Sequence, residues 1–509
     1  MKKVLALLVV SVMALSAASC APATSNSGTA DNAAAAATSE AAPQLAPYVI
    51  DYYMLANSVS SDAGPISEEI NKIIQPKFNA TLNITMLTWG DWFTKTQAAL
   101  AAGEKVDLLF TADWYQYMTS IANNNLMPLN DLLAKYAPDT VAQLGETFIK
   151  GSQFNNINYA VPTDKELAVN GGFCWNKTLA DKYGLKVDPT WKSVKDWEPL
   201  LKTIKENEPN VIPYLTDGNL YHLNYISYVG CDLAWDGNKP TDPTLQWIYD
   251  YPEYLNEIRV MQDFYNKGYI PKDSTSAATN DWMSKHLIQG DFFMSTQPLK
   301  PGKGKSGELM AAMSDHSIQL DEYETYPLLV NTTHCGGSML AIPNTSKDPA
   351  RAMMFINEMH TNPDVTNLLA WGIEGKDYTV VQADNPKRVK PVDGNTWTPA
   401  VLVWTLGNVY NVWLSDVEPE DKYPLLAQTK KGIPQHIANG YRFNVEKYQD
   451  QMTAIATVTD QYNTPIRVGA MDLDKTLPEY KAAMDAAGFQ TFKDAAVQDF
   501  QAWLATQKK

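Results

Sequence analysis

Residues 48–56 read YVIDYYMLA, residues 66–78 read ISEEINKIIQPKF and residues 81–87 read TLNITML. The first and last of these segments are rich in aromatic and β-branched residues and predict strands. The isoleucines of the middle segment recur at helical spacing on one face and predict an amphipathic helix. The residues that follow, up to Ala112, repeat the alternation. Strands and helices that alternate with short turns predict parallel strands joined by right-handed crossovers, and therefore an α/β fold.

The N-terminus has the pattern of an export signal. Residues 1–20 read MKKVLALLVVSVMALSAASC, in which two lysines precede an apolar run too short to span a bilayer. The small residues before Cys20 resemble a bacterial lipobox, which predicts lipidation of Cys20; an ordinary secretory signal cleaved near Ser19 is the alternative. Residues 21–47 are rich in Ala, Ser, Thr and Pro and predict a disordered tether. We therefore expect an extracytoplasmic protein, lipid-anchored at the outer face of the bacterial cytoplasmic membrane.

The composition excludes several classes of ligand. The formal net charge is −16, so the surface repels nucleic acid and anionic lipid headgroups. There are 14 Trp and 26 Tyr against 14 Phe, and Trp and Tyr combine a flat face with a polar group, which suits stacking on sugar rings. We expect no cofactor and no metal, because the histidines are scattered. Cys174, Cys231 and Cys335 are expected to be free, with one disulfide and one leftover thiol as the alternative.

Two Gly-Gly pairs mark possible crossings between lobes. Gly171–Gly172 and Gly336–Gly337 each enter a predicted strand that is followed by a helix. Two ordinary β-turns are the alternative. Asp348–Pro349 forms a suitable N-cap and N1 pair for the helix after the second crossing.

A glycine-rich segment at 302–307 reads GKGKSG. It satisfies the G-x-G-x-x-G pattern of dinucleotide loops, but prolines separate it from the preceding strand and the Walker A spacing is absent. We therefore predict a mobile, lysine-rich surface loop.

Three further segments together resemble one protein family. FCWNKTLADKYGL (173–185) is similar to a run of the solute-binding lipoproteins of ABC importers, with Cys174 where tyrosine is usual. GGSMLAIPNTSKDPARAMMFINEM (336–359) resembles the family 1 extracellular binding proteins, the carbohydrate-binding class. Residues 440–504 run from GYRFN through GAMDLDKTLPEY to QAWL and resemble the C-terminal DUF3502 domain of the LplA-like branch. Tyr441 and Ala17 depart from the usual patterns of the tail and the lipobox.

The resemblance implies a two-lobed periplasmic-binding-protein fold of type II, a Venus-flytrap with hinge crossovers and an α-rich C-terminal addition. It implies lobe 1 at 48–167 and 331–375, lobe 2 at 168–330, lobe 2 or hinge helices at 376–434 and a DUF3502-like domain at 435–509. It also implies a monomer with a carbohydrate ligand and, as partners, ABC permease subunits with an intracellular ATPase.

The candidate ligand-binding residues are aromatic and polar side chains on loops. Ligands of open α/β sheets bind at the carboxyl ends of the strands, which favours two turns that each pair Asp with Trp: Trp89, Asp91 and Trp92, then Asp113 and Trp114. Asp91 as a helix N-cap with Trp92 packed inward is equally consistent. The other candidates are Glu166, Phe173, Trp175, Tyr221, Asp236, Trp282, Gly337, Trp371 and Tyr378. A purely structural role is the alternative for each of them.

A lipid-anchored glycoside hydrolase or another secreted carbohydrate-active enzyme is the alternative function, since Asp and Glu in a cleft can support acid/base chemistry. The sequence isolates no catalytic pair of carboxylates and contains no G-x-S-x-G or HExxH motif. We therefore predict a binding protein without enzymatic activity, which captures an oligosaccharide between two lobes by hinge closure.

Overall fold

The alternating segments after Tyr48 build a parallel sheet, as the sequence predicts. The computed structural model describes residues 45–278, 280–300, 304–430 and 432–507. The expected signal peptide, Cys20 and the expected tether up to residue 44 lie outside the described residues. The first part of lobe 1 consists of β1 (Tyr48–Ala56), α1 (Ala63–Phe78), β2 (Ala80–Thr88), α2 (Trp89–Ala101), β3 (Leu108–Thr111), α3 (Tyr117–Ala122), α4 (Asn130–Tyr136), α5 (Pro138–Gly151) and β4 (Ala160–Pro162).

In this part β1 pairs in parallel with both β2 and β3. Helix α1 crosses between β1 and β2 and buries Ile66, Ile70 and Ile74 in the core of the lobe. The helical spacing of the isoleucines thus has the physical consequence expected of an amphipathic helix, which covers one face of the sheet.

Lobe 2 has a second sheet. Its elements are β5 (Asn170–Asn176), α6 (Lys177–Lys182), α7 (Glu198–Asn207), β6 (Ile212–Leu215), β7 (Tyr225–Ile226), β8 (Leu233–Asp236), β9 (Gln246–Trp247), α8 (Pro252–Lys267), α9 (Asn280–Gln289), β10 (Phe292–Leu299), α10 (Gly304–Ala312) and β11 (Leu320–Glu324). The strand order is β11-β5-β10-β6. Gly171 and Gly172 lie inside β5, where a Cβ would be 1.8 Å from the Tyr221 carbonyl oxygen and 2.0 Å from that of Tyr323. The first Gly-Gly pair is therefore a site of close backbone approach rather than a β-turn.

The chain then returns to lobe 1. The returning elements are α11 (Thr332–Cys335), β12 (Met339–Ala341), α12 (Pro349–Thr361), α13 (Pro363–Trp371), β13 (Tyr378–Gln382), β14 (Arg388–Pro391), β15 (Leu414–Ser415) and α14 (Lys422–Gln428). Strand β12 inserts antiparallel between β3 and β4, which gives the order β2-β1-β3-β12-β4. The predicted cap of α12 is confirmed, because the Asp348 carboxylate accepts the Arg351 backbone N–H at 3.1 Å.

Residues 376–434 differ from the expected lobe 2 or hinge helices. Tyr378, Val389, Trp397 and Leu426 are buried in the core of lobe 1. The segment folds largely as the small sheet β13-β14-β15 and short 3₁₀ turns. Its apolar side chains lie in the core that also contains α12 and α13, so it thickens lobe 1.

The C-terminal region (437–507) packs on lobe 2. It contains α15 (Gln449–Arg467), α16 (Leu473–Ala486) and α17 (Phe489–Gln507). Phe492, Ala496 and Phe500 of α17 are fully buried in the lobe 2 core. The ring of Phe500 lies 4.9 Å from that of Trp235 in β8, so the apolar face of this helix serves core packing.

The crossings between the lobes bind one another. In the first crossing, which leads from lobe 1 to lobe 2, the Leu167 N–H donates to Thr429 Oγ1 at 3.0 Å. Thr429 lies where the third crossing begins, the one that leads to the C-terminal region. In the second crossing, which leads back to lobe 1, Val330 pairs with the third crossing. Its N–H donates to the Pro434 carbonyl at 2.8 Å, and its carbonyl accepts from the His436 N–H at 2.9 Å. Three segments thus form one hydrogen-bonded hinge.

Cys174, Cys231 and Cys335 are free, as the sequence predicts. Within the described ranges, no cluster of three His, Cys, Asp or Glu side chains could hold a metal ion. None of the helices in the described part of the chain combines the length and apolarity needed to cross a membrane.

Candidate ligand-binding site

Three indole rings lie together where the strands of lobe 1 end. Trp89 directly follows β2, Trp114 follows β3, and Trp404 comes from a 3₁₀ turn of the returning chain. Their ring centroids are 6.1 Å apart for Trp89 and Trp114, 6.3 Å for Trp89 and Trp404, and 6.2 Å for Trp114 and Trp404. We call these three residues the aromatic platform. Trp114 is 45% exposed, so the platform presents apolar ring surface to a ligand.

Hydrogen bonds hold the platform in place through its ring edges and backbone. The Trp89 Nε1–H donates to Asn57 Oδ1 at 3.2 Å, just after β1. The Trp114 Nε1–H donates to the Gly337 carbonyl at 2.7 Å. The hydroxyl of Ser338 donates to the Trp404 carbonyl at 2.5 Å. With these polar groups satisfied, the exposed part of the Trp114 ring is left for stacking, while Trp89 is itself stacked on Trp404.

A cavity of about 170 Å³ lies beside Trp114. A single water needs about 10–15 Å³ of such volume, whereas sites for whole drug-sized ligands start at about 300 Å³. The cavity therefore has room for part of a ligand. Lobe 1, lobe 2 and the C-terminal region all contribute to its lining, which comprises Asp113, Trp114, Gln116, Met118, Thr119, Tyr228, Val229, Gly230, Arg442, Phe443, Val445 and Met452.

The charged residues of the lining neutralise each other. Arg442 Nε and Nη2 donate to the two carboxylate oxygens of Asp113 at 2.9 and 2.8 Å. Burial lowers the pKa of Arg442, but the charge of Asp113 and its hydrogen bonds outweigh burial and leave that pKa raised. The guanidinium of Arg442 thus stays charged, and its ion pair with Asp113 leaves the wall of the cavity without net charge.

Gly336 makes room for this ion pair. A Cβ at Gly336 would lie 2.0 Å from Asp113 Oδ2, and the Asp113 N–H donates to the Gly336 carbonyl at 2.7 Å. The second Gly-Gly pair therefore supports the loop that carries Trp114, because a side chain at 336 would take the place of the Asp113 carboxylate.

The structure brings four of the sequence candidates together at this place, namely Trp89, Asp113, Trp114 and Gly337. Their neighbours in the first turn of α2 point elsewhere. The Asp91 side chain is 47% exposed and pairs with Lys95 at 2.8 Å along the helix. It is not the N-cap, which is Thr88. Trp92 is 3% exposed and packs edge-on against Phe110, inside the lobe.

The candidates of lobe 2 lie in or near its core. Phe173 and Trp175 pack on Trp197 with ring centroids 5.1 and 5.6 Å away. Tyr221 is half-buried and contributes its carbonyl to the contact with Gly171. Asp236 forms a surface ion pair with Lys239 at 3.0 Å. These contacts are those of structural residues.

Three further candidates are also placed away from the platform. The Trp282 Nε1–H donates to Asp273 at 3.2 Å on lobe 2. Trp371 is 4% exposed and donates to the Trp413 carbonyl at 3.2 Å. Tyr378 packs edge-on against the Trp413 ring at 5.8 Å. Both of the latter belong to the core of lobe 1.

Glu166 belongs to a buried group of charges at the hinge. We call this group the hinge charge cluster; its members are Lys165, Glu166, Lys300, Glu308, Glu418 and Lys422, and their side chains are at most 9% exposed. Lys165 lies 3.0 Å from Glu166, and Lys300 lies 2.7 Å from Glu308. Burial raises the pKa of Glu166, but Lys165 and Lys300 lower it to about 2. Glu166 therefore stays ionised and already has cationic partners.

The expectation of a mobile lysine-rich loop at 302–307 is wrong for the part that the structure describes. Helix α10 begins at Gly304, and Lys300, just before it, is 6% exposed. Glu308 in this helix draws the ammonium of Lys300 inward, because a buried carboxylate requires a partner of opposite charge.

Sequence reasoning missed Trp404, Tyr228 and Arg442. Trp404 lies in the segment VLVWTL, which shows neither strand alternation nor a turn signal. Arg442 lies in the GYRFN run, which resembles the start of the DUF3502 domain. This run was the signal in the sequence that could have marked Arg442 as a functional residue.

Residues 63–365 match the model of the bacterial extracellular solute-binding proteins, and the chain belongs to this family. It is thus an extracytoplasmic binding protein and not an enzyme. Residues 437–505 match a domain of unknown function, DUF3502. The resemblance to both families and the two-lobed fold predicted from the sequence are confirmed.

The relatives are transport proteins. A carbohydrate ABC transporter substrate-binding protein of Streptococcus pneumoniae serotype 4 (strain ATCC BAA-334 / TIGR4) is 29% identical over 430 residues, which are 82% of this chain and 83% of that protein. The crystal structure of the N-glycan transport solute binding protein (NgtS) from Streptococcus pneumoniae in complex with Man5GlcNAc has a TM-score of 0.79 and 24% identity, with 91% of this chain and 100% of that chain covered. Its complex with Man1GlcNAc has a TM-score of 0.78 and 25% identity, with 90% and 100% covered.

Proposed function

We propose that this protein captures a neutral oligosaccharide between its lobes and delivers it to the permease of an ABC importer. The observation that carries this proposal is the aromatic platform, which stands at the carboxyl edge of the lobe 1 sheet beside a cavity that both lobes line. Flat indole faces suit the C–H face of a sugar ring, while its hydroxyls find polar partners in Gln116 and Thr119 at the cavity wall.

Charge supports a neutral ligand over an anionic one. The protein carries a formal net charge of −16, which repels uronates and sulfated sugars at long range. In the cavity wall, Asp113 and Arg442 already satisfy each other. The names of the relatives support a glycan of the N-glycan class as the ligand, since NgtS was crystallised with Man5GlcNAc and with Man1GlcNAc.

Capture proceeds by closure about the hinge. A ligand that touches the platform on lobe 1 and the loop of Tyr228 on lobe 2 binds the closed form better than the open form, and so shifts the population toward it. The hydrogen-bonded crossings and the hinge charge cluster keep the two lobes in register during this motion. The closed form then presents surfaces of both lobes to the permease, which works with an intracellular ATPase.

A lipid on Cys20 holds the monomeric receptor beside that permease. Replacement of Cys20 by alanine should release the protein into the medium, and fractionation of the cells with globomycin treatment as a second arm checks this. Membrane retention of Cys20→Ala would contradict the lipid anchor.

Binding is tested by calorimetry and thermal shift with Man5GlcNAc and with a guluronate oligosaccharide of similar length as the anionic control. We expect the neutral sugar to bind and raise Tm by mass action, and the guluronate to do neither. Small-angle scattering should show compaction with the bound sugar. The proposal fails if neutral glycans leave Tm and the scattering curve unchanged, and mass spectrometry that found cleaved sugar would favour a hydrolase.

A further inference from the structure

We propose that the C-terminal region (437–507) is a working part of the ligand site, in which Arg442 acts as the positioning residue for Trp114. This inference rests on the proposed function, because it treats Trp114 as a sugar-stacking residue. It assigns a role to the DUF3502 domain, which otherwise serves as packing on lobe 2.

The C-terminal region belongs to the body of lobe 2. Trp247 of β9 packs edge-on against Tyr480 of α16 with ring centroids 5.2 Å apart. Near the start of the region, the hydroxyl of Tyr228 donates to the Ala438 carbonyl at 2.8 Å. The residues after Ala438 are thereby fixed to the lobe 2 loop that lines the cavity.

Arg442 nevertheless makes its hydrogen bonds with lobe 1. It forms a two-pronged bond with Asp113, and its Nη1–H donates to the Gln153 carbonyl at 2.8 Å. The side chains of Arg442 and Asp113 are 3% and 2% exposed. A fully buried guanidinium whose bonds span the lobes is a bridge between them, and its removal would leave Asp113 buried without a counter-charge.

The position of Asp113 determines that of Trp114. Asp113 is tied through its N–H to the Gly336 carbonyl, and Trp114 is tied through its indole to the Gly337 carbonyl. The carboxylate of Asp113 faces Arg442 and the exposed indole of Trp114 faces the cavity. A shift of Asp113 therefore turns the ring on which the sugar stacks.

Other residues of the C-terminal region also line the cavity. Phe443, Val445 and Met452 of the C-terminal region line the cavity together with Arg442. Without the region, this wall would be open to water. The region thus supplies both a positioning residue and a surface of the site.

The fork geometry makes arginine specific at this position. Two parallel N–H groups match the two carboxylate oxygens, whereas lysine offers a single point charge. Arg442→Lys keeps the charge that Asp113 needs and removes the orientation, so it separates positioning from charge compensation. The variant D113N/R442Q removes both charges and keeps the protein free of an unpaired buried ion.

Arg467 provides a matched control. It belongs to the same region and pairs with Asp232 at 2.8 Å, but both partners lie on the lobe 2 side. Arg467 makes a single hydrogen bond to Asp232, so Arg467→Lys tests the loss of a guanidinium ion pair in the C-terminal region without a change at the lobe 1 loop.

The experiment uses the protein labelled with 5-fluorotryptophan, with the Trp114 resonance assigned by Trp114→Phe. In ¹⁹F NMR without sugar, Arg442→Lys and D113N/R442Q should shift the Trp114 resonance, and Arg467→Lys should not. In calorimetry, Arg442→Lys should weaken binding of Man5GlcNAc about tenfold, the upper end of what one aromatic contact contributes.

An unshifted Trp114 resonance in both Arg442 variants, with circular dichroism unchanged, would overturn the inference. A wild-type protein that binds no Man5GlcNAc would count against the proposed ligand class, whereas the fluorine spectra would still decide the role of Arg442.

Discussion

Replacement of Trp114 by alanine is the sharpest test of the aromatic platform. The residue is 45% exposed and lies beside Trp89 and Trp404 at the edge of the cavity. Its ring makes one hydrogen bond, to the Gly337 carbonyl. Loss of the side chain therefore removes stacking surface, while the fold keeps the backbone bonds of the loop.

The exposed area of the ring sets the size of the effect. A tryptophan side chain presents roughly 250 Å², of which 45% leaves about 110 Å² for a ligand. If a sugar covers half of this area, the loss at about 25 cal/mol per Å² is about 1.4 kcal/mol. The dissociation constant should then rise about tenfold.

The assay is calorimetry of wild type, Trp114→Ala and Phe93→Ala against the same neutral glycan. Phe93 is a comparable aromatic residue on lobe 1, 52% exposed on α2, and its loss should leave the affinity unchanged. Affinity of Trp114→Ala within twofold of wild type, in a protein with normal Tm, would refute the platform. Equal losses in both variants would point to a general effect on lobe 1.

Three further variants test a buried carboxylate of lobe 2, the glycine beside Asp113 and the core under the C-terminal helices. Burial raises the pKa of Glu322 from 4.5 to about 7. The unfolded chain therefore loses this proton first, and the protein loses stability as pH rises from 4.5 to 7. The Tm of Glu322→Gln should gain on that of wild type over this range, and a constant difference in Tm would contradict the raised pKa. Gly336→Ala puts a Cβ 2.0 Å from Asp113 Oδ2; overpacking should lower the free energy of unfolding by about 1–3 kcal/mol, and displacement of the Asp113 loop should weaken sugar binding. Gly64→Ala, which meets no atom within 4 Å, is its control in calorimetry. Phe500→Ala should lower the free energy of unfolding by about 3–5 kcal/mol, which urea denaturation would show as a lower midpoint. An unchanged midpoint would mean that the C-terminal helices do not share the lobe 2 core.

Local patterns in the chain predicted much of the fold. The isoleucines of α1 and the Asp348–Pro349 start of α12 were readable because periodicity and capping act over a few residues. The parallel pairing of β1 and β2 followed from the alternation itself. The placement of 376–434 on lobe 1 was not readable, because its short strands carry no signal for which core they cover.

The turn after β2 shows the limit most clearly. Trp89 and Trp92 stand three residues apart and have the same chemistry, yet Trp89 joins the platform and Trp92 is buried. The difference depends on the rotation of α2 against the sheet. Side-chain packing sets that rotation, and the sequence of the turn carries no information about it.

The sequence by itself determined the class of protein, since the strand and helix pattern and the quoted family motifs are properties of short segments. The tertiary structure decided the site. Asp113 and Arg442 stand 329 residues apart, and they meet only because the C-terminal region folds onto lobe 2 beside the hinge. A buried ion pair forms only where the packing of the whole chain brings its two groups together. The turn that carries Asp113 and Trp114 therefore becomes a candidate sugar site through Arg442, near the other end of the sequence.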